Sequence, residues 1–304
     1  MNFPIIRNSL GILMVCSMQM LGAVDAPMEE TALKAVPVPE GESKPITLRI
    51  GISDIYCTKT ACDCIKEIAA RSYDGVIEEL KKSNITLEIT YFMEVLDLEK
   101  AIIDKDFDGV ICKPWAAFRH VPATGRKFKR VVDILDPGNG ASVCGQFVTN
   151  AKSPIMTFED IRGKRLVFGQ EDAYEKHQAA LIMMASQGIQ PDNARYFSSC
   201  GESLDALMSG GADVVVVSSY ALTASCAVDF AKPEDFRIIA STPNIPLTSF
   251  ILDLDRVSAI TASRVQKAML AVSGEKTPKD FLGNGFVAPV TWQPAMAAEP
   301  TSPK

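Results

Sequence analysis

The chain has 304 residues, 47% of them hydrophobic and 22% charged, with a net charge of −6 at pH 7. A negative balance this small and this dispersed argues against nucleic acid as a partner. Between its polar ends the chain holds roughly 250 residues, enough for one large domain or two lobes.

At the start, Arg7 precedes an apolar run from Leu10 to Leu21, and small residues follow as far as Ala26. That layout is an export signal, residues 1–26, cleaved to leave a periplasmic protein. The run is shorter than the roughly 18 apolar residues that a membrane-spanning helix needs. Residues 27–46 are rich in Pro, Glu and Ala and read as a flexible leader, with 294–304 as a flexible tail.

Strands and helices alternate in between. Apolar patterning places strands at 47–53, 85–92, 131–135, 142–150, 164–168, 194–198, 213–217, 236–240 and 248–254. Helices are expected at 63–82, 96–103, 157–162, 172–186, 203–208, 219–228 and 259–272. The basic run 126–130 reads as a solvated loop. Such alternation implies α/β architecture with parallel sheets covered on both faces. Two successive series imply two lobes, with ligand at the carboxyl ends of the strands, in the crevice between them.

The stretch Gly109-Val-Ile-Cys112-Lys113-Pro114-Trp115 is a short buried strand running into a helix that Pro114 starts. Cys112 falls at the junction, beside Lys113 and near helix N–H groups, and both influences favour its thiolate. Eight cysteines are present. With Cys16 removed in the signal, seven remain, and an exported protein lives where thiols oxidise. The count is odd, so one thiol stays free or pairs between molecules. Spacing allows a local bridge among Cys57, Cys62 and Cys64, a Cys200–Cys226 bridge and a bond from Cys144 to the first cluster. That scheme leaves Cys112 free in the crevice, although spacing alone does not determine connectivity.

The run from Gln146 through Ser153-Pro-Ile-Met-Thr-Phe-Glu-Asp160-Ile-Arg-Gly163-Lys164 to Phe168-Gly169 resembles the crossover and second-lobe entry of the phosphonate-type (PhnD-like) periplasmic binding proteins. The resemblance continues through Gly188-Ile189, Ser198-Ser-Cys-Gly-Glu-Ser-Leu-Asp-Ala-Leu207 and Gly210-Gly-Ala-Asp-Val214, and through Arg237 to Pro246. It implies a periplasmic binding protein of type II: two α/β lobes joined by two crossover strands and closing on a small ligand. Lobe 1 would comprise 47–146 and 247–293, and lobe 2 would comprise 147–246. The output would be an ABC permease or a sensor kinase. The family's Ser/Thr anion-binding cluster is replaced here by Gly169-Gln-Glu171-Asp172-Ala-Tyr174. If both carboxylates face the ligand, each repels an anion 4 Å away by roughly 4 kcal/mol at an effective dielectric of 20. If they look outward, they still remove the expected hydroxyl ligands.

A cleft thiolate is a soft donor suited to metalloids. Together with this fold it resembles the periplasmic arsenite-binding proteins of the AioX type, which present As(III) to a membrane histidine kinase controlling arsenite oxidation. On that resemblance Cys112 binds arsenic, and Asp54, Tyr56, Glu171, Asp172 and Tyr174 accept hydrogen bonds from its hydroxyls. Lys113 and Trp115 lie beside it. The alternative is an ABC-transporter binding protein for a phosphonate or another small anion, which would use Lys113. A transition-metal site at Cys112, His177, Glu171 and Asp172 is weaker, because His177 lies five residues from Asp172, off its helical face. No enzyme is expected and no cofactor: the two histidines lack a catalytic setting, and neither a dinucleotide fingerprint nor a P-loop occurs.

Overall fold

A computed structural model of the protein describes residues 44–54, 71–136, 138, 140–223 and 231–295. Its strands in chain order are β1 (Ile46–Ser53), β2 (Ile85–Tyr91), β3 (Gly109–Cys112), β4 (Phe128–Leu135), β5 (Ser142–Val143), β6 (Gly145–Asn150), β7 (Leu166–Gly169), β8 (Ala194–Phe197), β9 (Val214–Ser218), β10 (Phe236–Ser241), β11 (Ile245–Pro246), β12 (Ser249–Asp253) and β13 (Gly285–Val287). The helices described are α1 (Asp74–Lys81), α2 (Val95–Ile103), α3 (Pro114–Phe118), α4 (Val121–Thr124), α5 (Gln178–Ser186), α6 (Cys200–Met208) and α7 (Ala259–Leu270).

Lobe 1 is built on a six-stranded sheet of order β13-β4-β12-β3-β1-β2. β1 lies parallel to both β2 and β3, while β12 runs antiparallel to β3 and β4. Side chains alternate across a strand, and both faces of this sheet are buried. Ile50, Ile111, Val132 and Phe250 pack with α1 residues Val76 and Leu80 and α7 residues Val265 and Met269. On the opposite face Val110, Cys112 and Ile251 pack with Leu98 and Ile102 of α2 and Ala116 and Ala117 of α3. The Ser258 hydroxyl caps α7 by accepting the Thr261 N–H at 3.1 Å.

Lobe 2 is a five-stranded sheet of order β10-β6-β9-β7-β8. β7 is parallel to β8 and β9, whereas β6 is antiparallel to β9 and β10. α6 starts on a capping box, with the Ser199 hydroxyl taking the Glu202 N–H and the Glu202 carboxylate taking the Ser199 N–H. The two crossovers are antiparallel neighbours: β5 pairs with β11, and beyond them β6 pairs with β10. The type II two-lobed α/β fold is thus present, with mixed rather than purely parallel sheets.

Several elements differ from their expected extents. The helix expected over 63–82 is described only as α1 from Asp74, because residues 55–70 lie outside the described residues. The strand expected at 131–135 begins at Phe128. The basic run before it is therefore not a solvated loop: Arg126 is buried in an ion pair with Asp253, and Arg130 pairs with Asp133. Residues 157–162 make only a 3₁₀ turn, Glu159–Ile161. The strand expected over 142–150 splits at Cys144 into β5 and β6, which pair with different partners. Of the helix expected at 219–228, a 3₁₀ turn at Ala221–Thr223 is described and 224–230 lie outside. No helix among the described residues is long and apolar enough to cross a membrane. The expected signal, the expected leader through residue 43 and residues 296–304 are also outside the described residues.

Candidate functional site

Functional side chains converge where strands end. In lobe 1, β3 stops at Cys112 and Lys113 is extended, with φ −56° and ψ 128°, before Pro114 begins α3. From that extended position the Lys113 chain reaches lobe 2, where its Nζ lies 3.1 Å from Glu175 Oε1. Two residues on, the Trp115 indole N–H donates to the Glu171 carbonyl at 2.8 Å. Trp115 also packs on Tyr174, with ring centroids 4.8 Å apart.

The lobe 2 wall is a turn that interrupts the expected helix. After β7 ends at Gly169 the chain makes a 3₁₀ turn at Tyr174–Lys176, and α5 begins only at Gln178. Two glycines make room for this turn. A Cβ on Gly145 would lie 2.0 Å from the Glu175 carbonyl oxygen, and one on Gly169 would lie 2.4 Å from Lys176 Cγ. Gly145 meets backbone and cannot carry a side chain there, while at Gly169 a side chain would displace the Lys176 chain. The Thr242 hydroxyl accepts the Gly145 N–H at 2.8 Å, tying the turn's support to the second crossover.

This turn puts a buried acid and a buried base side by side. Glu175 is fully buried, and its Oε1 accepts from Ser218 Oγ at 2.8 Å as well as from Lys113. Its Oε2 accepts no hydrogen bond among the described residues. Burial pushes the carboxyl up, but the ammoniums of Lys113 and Lys176 and the Ser218 hydroxyl outweigh it and hold it at about 2. Burial opposes the charge on Lys113, and Glu175 reverses that effect, so its ammonium is held above the usual lysine value. Lys176, only 7% exposed, reaches the Ser198 carbonyl at 3.4 Å and Cys200 Sγ at 3.7 Å. Burial lowers its pKa, but the Cys200 sulfur and Glu175 outweigh it, so Lys176 also stays charged. Cys200 Sγ in turn lies 3.8 Å from Ser218 Oγ. Taken by themselves, Lys113, Lys176 and Glu175 carry an excess of one positive charge. An anion held 4 Å from that excess gains roughly 4 kcal/mol at an effective dielectric of 20.

The residues expected at the site divide in three ways. Lys113 and Trp115 lie at the lobe interface, and Tyr174 joins Trp115 there. Asp54 is buried in lobe 1, where Arg71 Nε at 2.9 Å, the Tyr73 hydroxyl at 2.6 Å and the Thr248 hydroxyl at 3.2 Å already occupy its carboxylate. A cavity of about 330 Å³ opens beside it, bordered by Tyr91, Phe92 and Met93 at the end of β2. Glu171 is exposed and contributes its carbonyl rather than its carboxylate, and Asp172 is half-buried in the same turn. Exposure of Glu171 lets solvent screen its carboxylate, which weakens the repulsion expected between it and an anion in the crevice. Tyr56 lies outside the described residues.

Cys112 departs furthest from expectation. It shares a strand face with Val110, two residues back, and its sulfur is packed among Leu98, Ile102, Ala116, Ala117 and Ile251. It is 1% exposed. Burial first, then the carboxylates of Glu99 and Asp54, hold its thiol far above the ordinary range, so it is a thiol and not the thiolate that the helix start and Lys113 suggested. Cys144 and Cys200, expected in bridges, are free thiols, as is Cys112, and the remaining cysteines lie outside the described residues. Among the described residues no three His, Cys, Asp or Glu side chains are placed to hold a metal, which removes the geometry required of a Cys112–His177–Glu171–Asp172 site. Glu175, Lys176, Cys200 and Ser218 were missed. The available signal was position: Ser218 ends β9, Cys200 follows β8 by three residues, and Glu175 and Lys176 lie in the loop that follows β7.

Residues 67–290 match the model of the ABC transporter, phosphonate, periplasmic substrate-binding protein family. The chain belongs to this family. The binding protein is accordingly non-enzymatic. Its fold recurs in a Xanthomonas citri protein solved bound to ATP, with a TM-score of 0.60 and 16% identity over 81% of this chain and 91% of that one. It recurs in the binding component of an ABC phosphonate transporter from Pseudomonas aeruginosa (TM-score 0.55, 11% identity, 81% and 82% covered). It recurs again in PhnD1 of Prochlorococcus marinus, solved with methylphosphonate (TM-score 0.54, 11% identity, 80% and 92% covered). At these identities the likeness concerns the fold. No curated protein matches the binding protein.

Proposed function

We propose that this binding protein captures a small oxyanion of the phosphonate class between Lys113 of lobe 1 and Lys176 of lobe 2, and delivers it to an ABC permease after export by the signal at 1–26. The observation that carries this reading is Lys176. Its ammonium is buried and charged, and its contacts with the Ser198 carbonyl and Cys200 Sγ are both longer than 3.3 Å. A buried cation is further stabilised by an anionic partner. The excess positive charge and the Ser218 hydroxyl supply the rest of an oxyanion cradle. Lys113 then has two partners, Glu175 before capture and the anion afterwards. Only a ligand that prefers the closed lobes shifts the population toward them.

Arsenite held by Cys112, with a membrane histidine kinase as receiver, is the finer reading that the sequence suggested. A thiol sealed within the lobe 1 core gives it no support, because displacement of an arsenite hydroxyl needs an accessible sulfur. The experiment is a calorimetric titration of the purified protein with methylphosphonate, sulfate and arsenite, repeated with Lys113→Ala and Cys112→Ala. The expected result is one-to-one binding of the oxyanion, weakened in Lys113→Ala and unchanged in Cys112→Ala. Arsenite binding that Cys112→Ala abolishes would replace this reading with the metalloid one.

A further inference from the structure

The two crossovers are not the only segments that join the lobes. After β13 closes the edge of the lobe 1 sheet beside β4, the chain continues and reaches lobe 2. Its first anchor is in lobe 1, where the Val290 carbonyl accepts from Arg130 Nη1 at 3.0 Å. The same guanidinium lies 5.9 Å from the centroid of the Trp292 ring. Trp292 meets Phe118 of α3 edge-to-face, with centroids 6.1 Å apart, and meets Tyr174 of lobe 2 in the same manner at 5.7 Å. The second anchor is in lobe 2: the Tyr174 hydroxyl donates to the Ala295 carbonyl at 3.2 Å and accepts the Ala295 N–H at 3.0 Å. One phenol thus clamps both polar groups of a single backbone residue. Of the tail expected over 294–304, residues 294 and 295 are described, and Ala295 is docked on Tyr174.

We propose that residues 288–295 form a strap that holds the lobes closed and gates opening of the crevice. The geometry makes opening and docking exclusive. Tyr174 directly precedes Glu175 and Lys176, so when lobe 2 swings away Tyr174 leaves the strap's lobe 1 anchor. Parting the lobes also breaks the Trp115 indole bond to Glu171, and Trp115 and Trp292 flank the same Tyr174 ring. Opening therefore costs the strap's contacts in addition to those of the binding site. This holds whichever ligand the crevice takes.

The test uses the full chain without ligand. Each tryptophan has one indole N–H, and that of Trp115 is protected by a bond that crosses between the lobes, so its hydrogen-exchange rate reads opening. Tyr174→Phe removes only the hydroxyl that clamps Ala295 and keeps the ring. Two hydrogen bonds of ordinary strength predict a roughly thirtyfold faster exchange of the Trp115 indole. The amide of Ile111, in the lobe 1 core, keeps its rate. Trp292→Ala, which removes the wedge by another route, gives the same pattern. Unchanged indole exchange in both variants would overturn the strap, as would equal acceleration of the Trp115 indole and the Ile111 amide, which marks general loss of stability.

Discussion

Glu175→Gln tests the electrostatics of the crevice most sharply. The substitution keeps the side chain's size and removes the one buried negative charge between Lys113 and Lys176. The carboxyl is held at about 2 against 4.5 for an ordinary glutamate. At roughly 1.4 kcal/mol per unit, its ionisation contributes about 3 kcal/mol to the folded state at neutral pH. Because the folded value is depressed, this contribution is fully present above the unfolded value of roughly 4.3. It is lost as pH falls through the folded value, and by linkage less than about half remains at pH 3. In the variant the two ammoniums lose their counter-charge, which is the same interaction seen from their side and not an added loss. For a chain of this size a destabilisation of about 3 kcal/mol lowers Tm by roughly 6–12 °C. The assay is thermal unfolding of both proteins, followed by circular dichroism at pH 7 and pH 3. The expected gap is large at pH 7 and less than half as large at pH 3. A gap below about 2 °C at pH 7, or one that does not change with pH, would refute the reasoning.

Three further outcomes follow from the packing. Native Cys112 does not react with a thiol reagent except through unfolding, and Cys112→Ala costs about 1–2 kcal/mol through the cavity it leaves, measured by urea denaturation. Gly145→Ala drives a methyl into the Glu175 carbonyl, 2.0 Å from its Cβ, so the turn must move. Its expected cost is about 1–3 kcal/mol, with at least a tenfold loss of anion affinity by calorimetry. Asp54→Asn breaks the buried pair with Arg71 and costs about 3–5 kcal/mol by the same denaturation, while anion affinity in the surviving folded protein stays within about twofold, well under the tenfold that 1.4 kcal/mol would produce.

Much of the architecture could be read from local pattern. Leu48, Ile50 and Ile52 alternate into the core of β1, Pro114 marks the start of α3, and the helix expected at 203–208 is α6, which begins three residues earlier, at Cys200. The chemistry of the site was less legible, for two physical reasons. Alternation places Cys112 on the face of Val110, but β3 is central and helices cover both its faces. Face alone therefore does not separate a core sulfur from a cleft sulfur. The second reason is the turn at 174–176. Residues 172–186 have the composition of one continuous helix, and the niches left by Gly145, thirty residues before Glu175 in the chain, and by Gly169 admit Glu175 and Lys176 inward. Tertiary contact overrides local propensity there. Of the residues singled out in advance, Glu171 is exposed and Asp172 half-buried in the stretch leading into that turn.

The chain's two tryptophans, Trp115 and Trp292, both stand against Tyr174 where the lobes meet, so their fluorescence reports on the crevice directly. The decisive measurement is a fluorescence titration with methylphosphonate, of the native protein and of Lys176→Met. A saturable change in the native protein that Lys176→Met abolishes is the predicted result. A native protein that ignores methylphosphonate but responds saturably to arsenite, with the response lost in Cys112→Ala, would contradict the account.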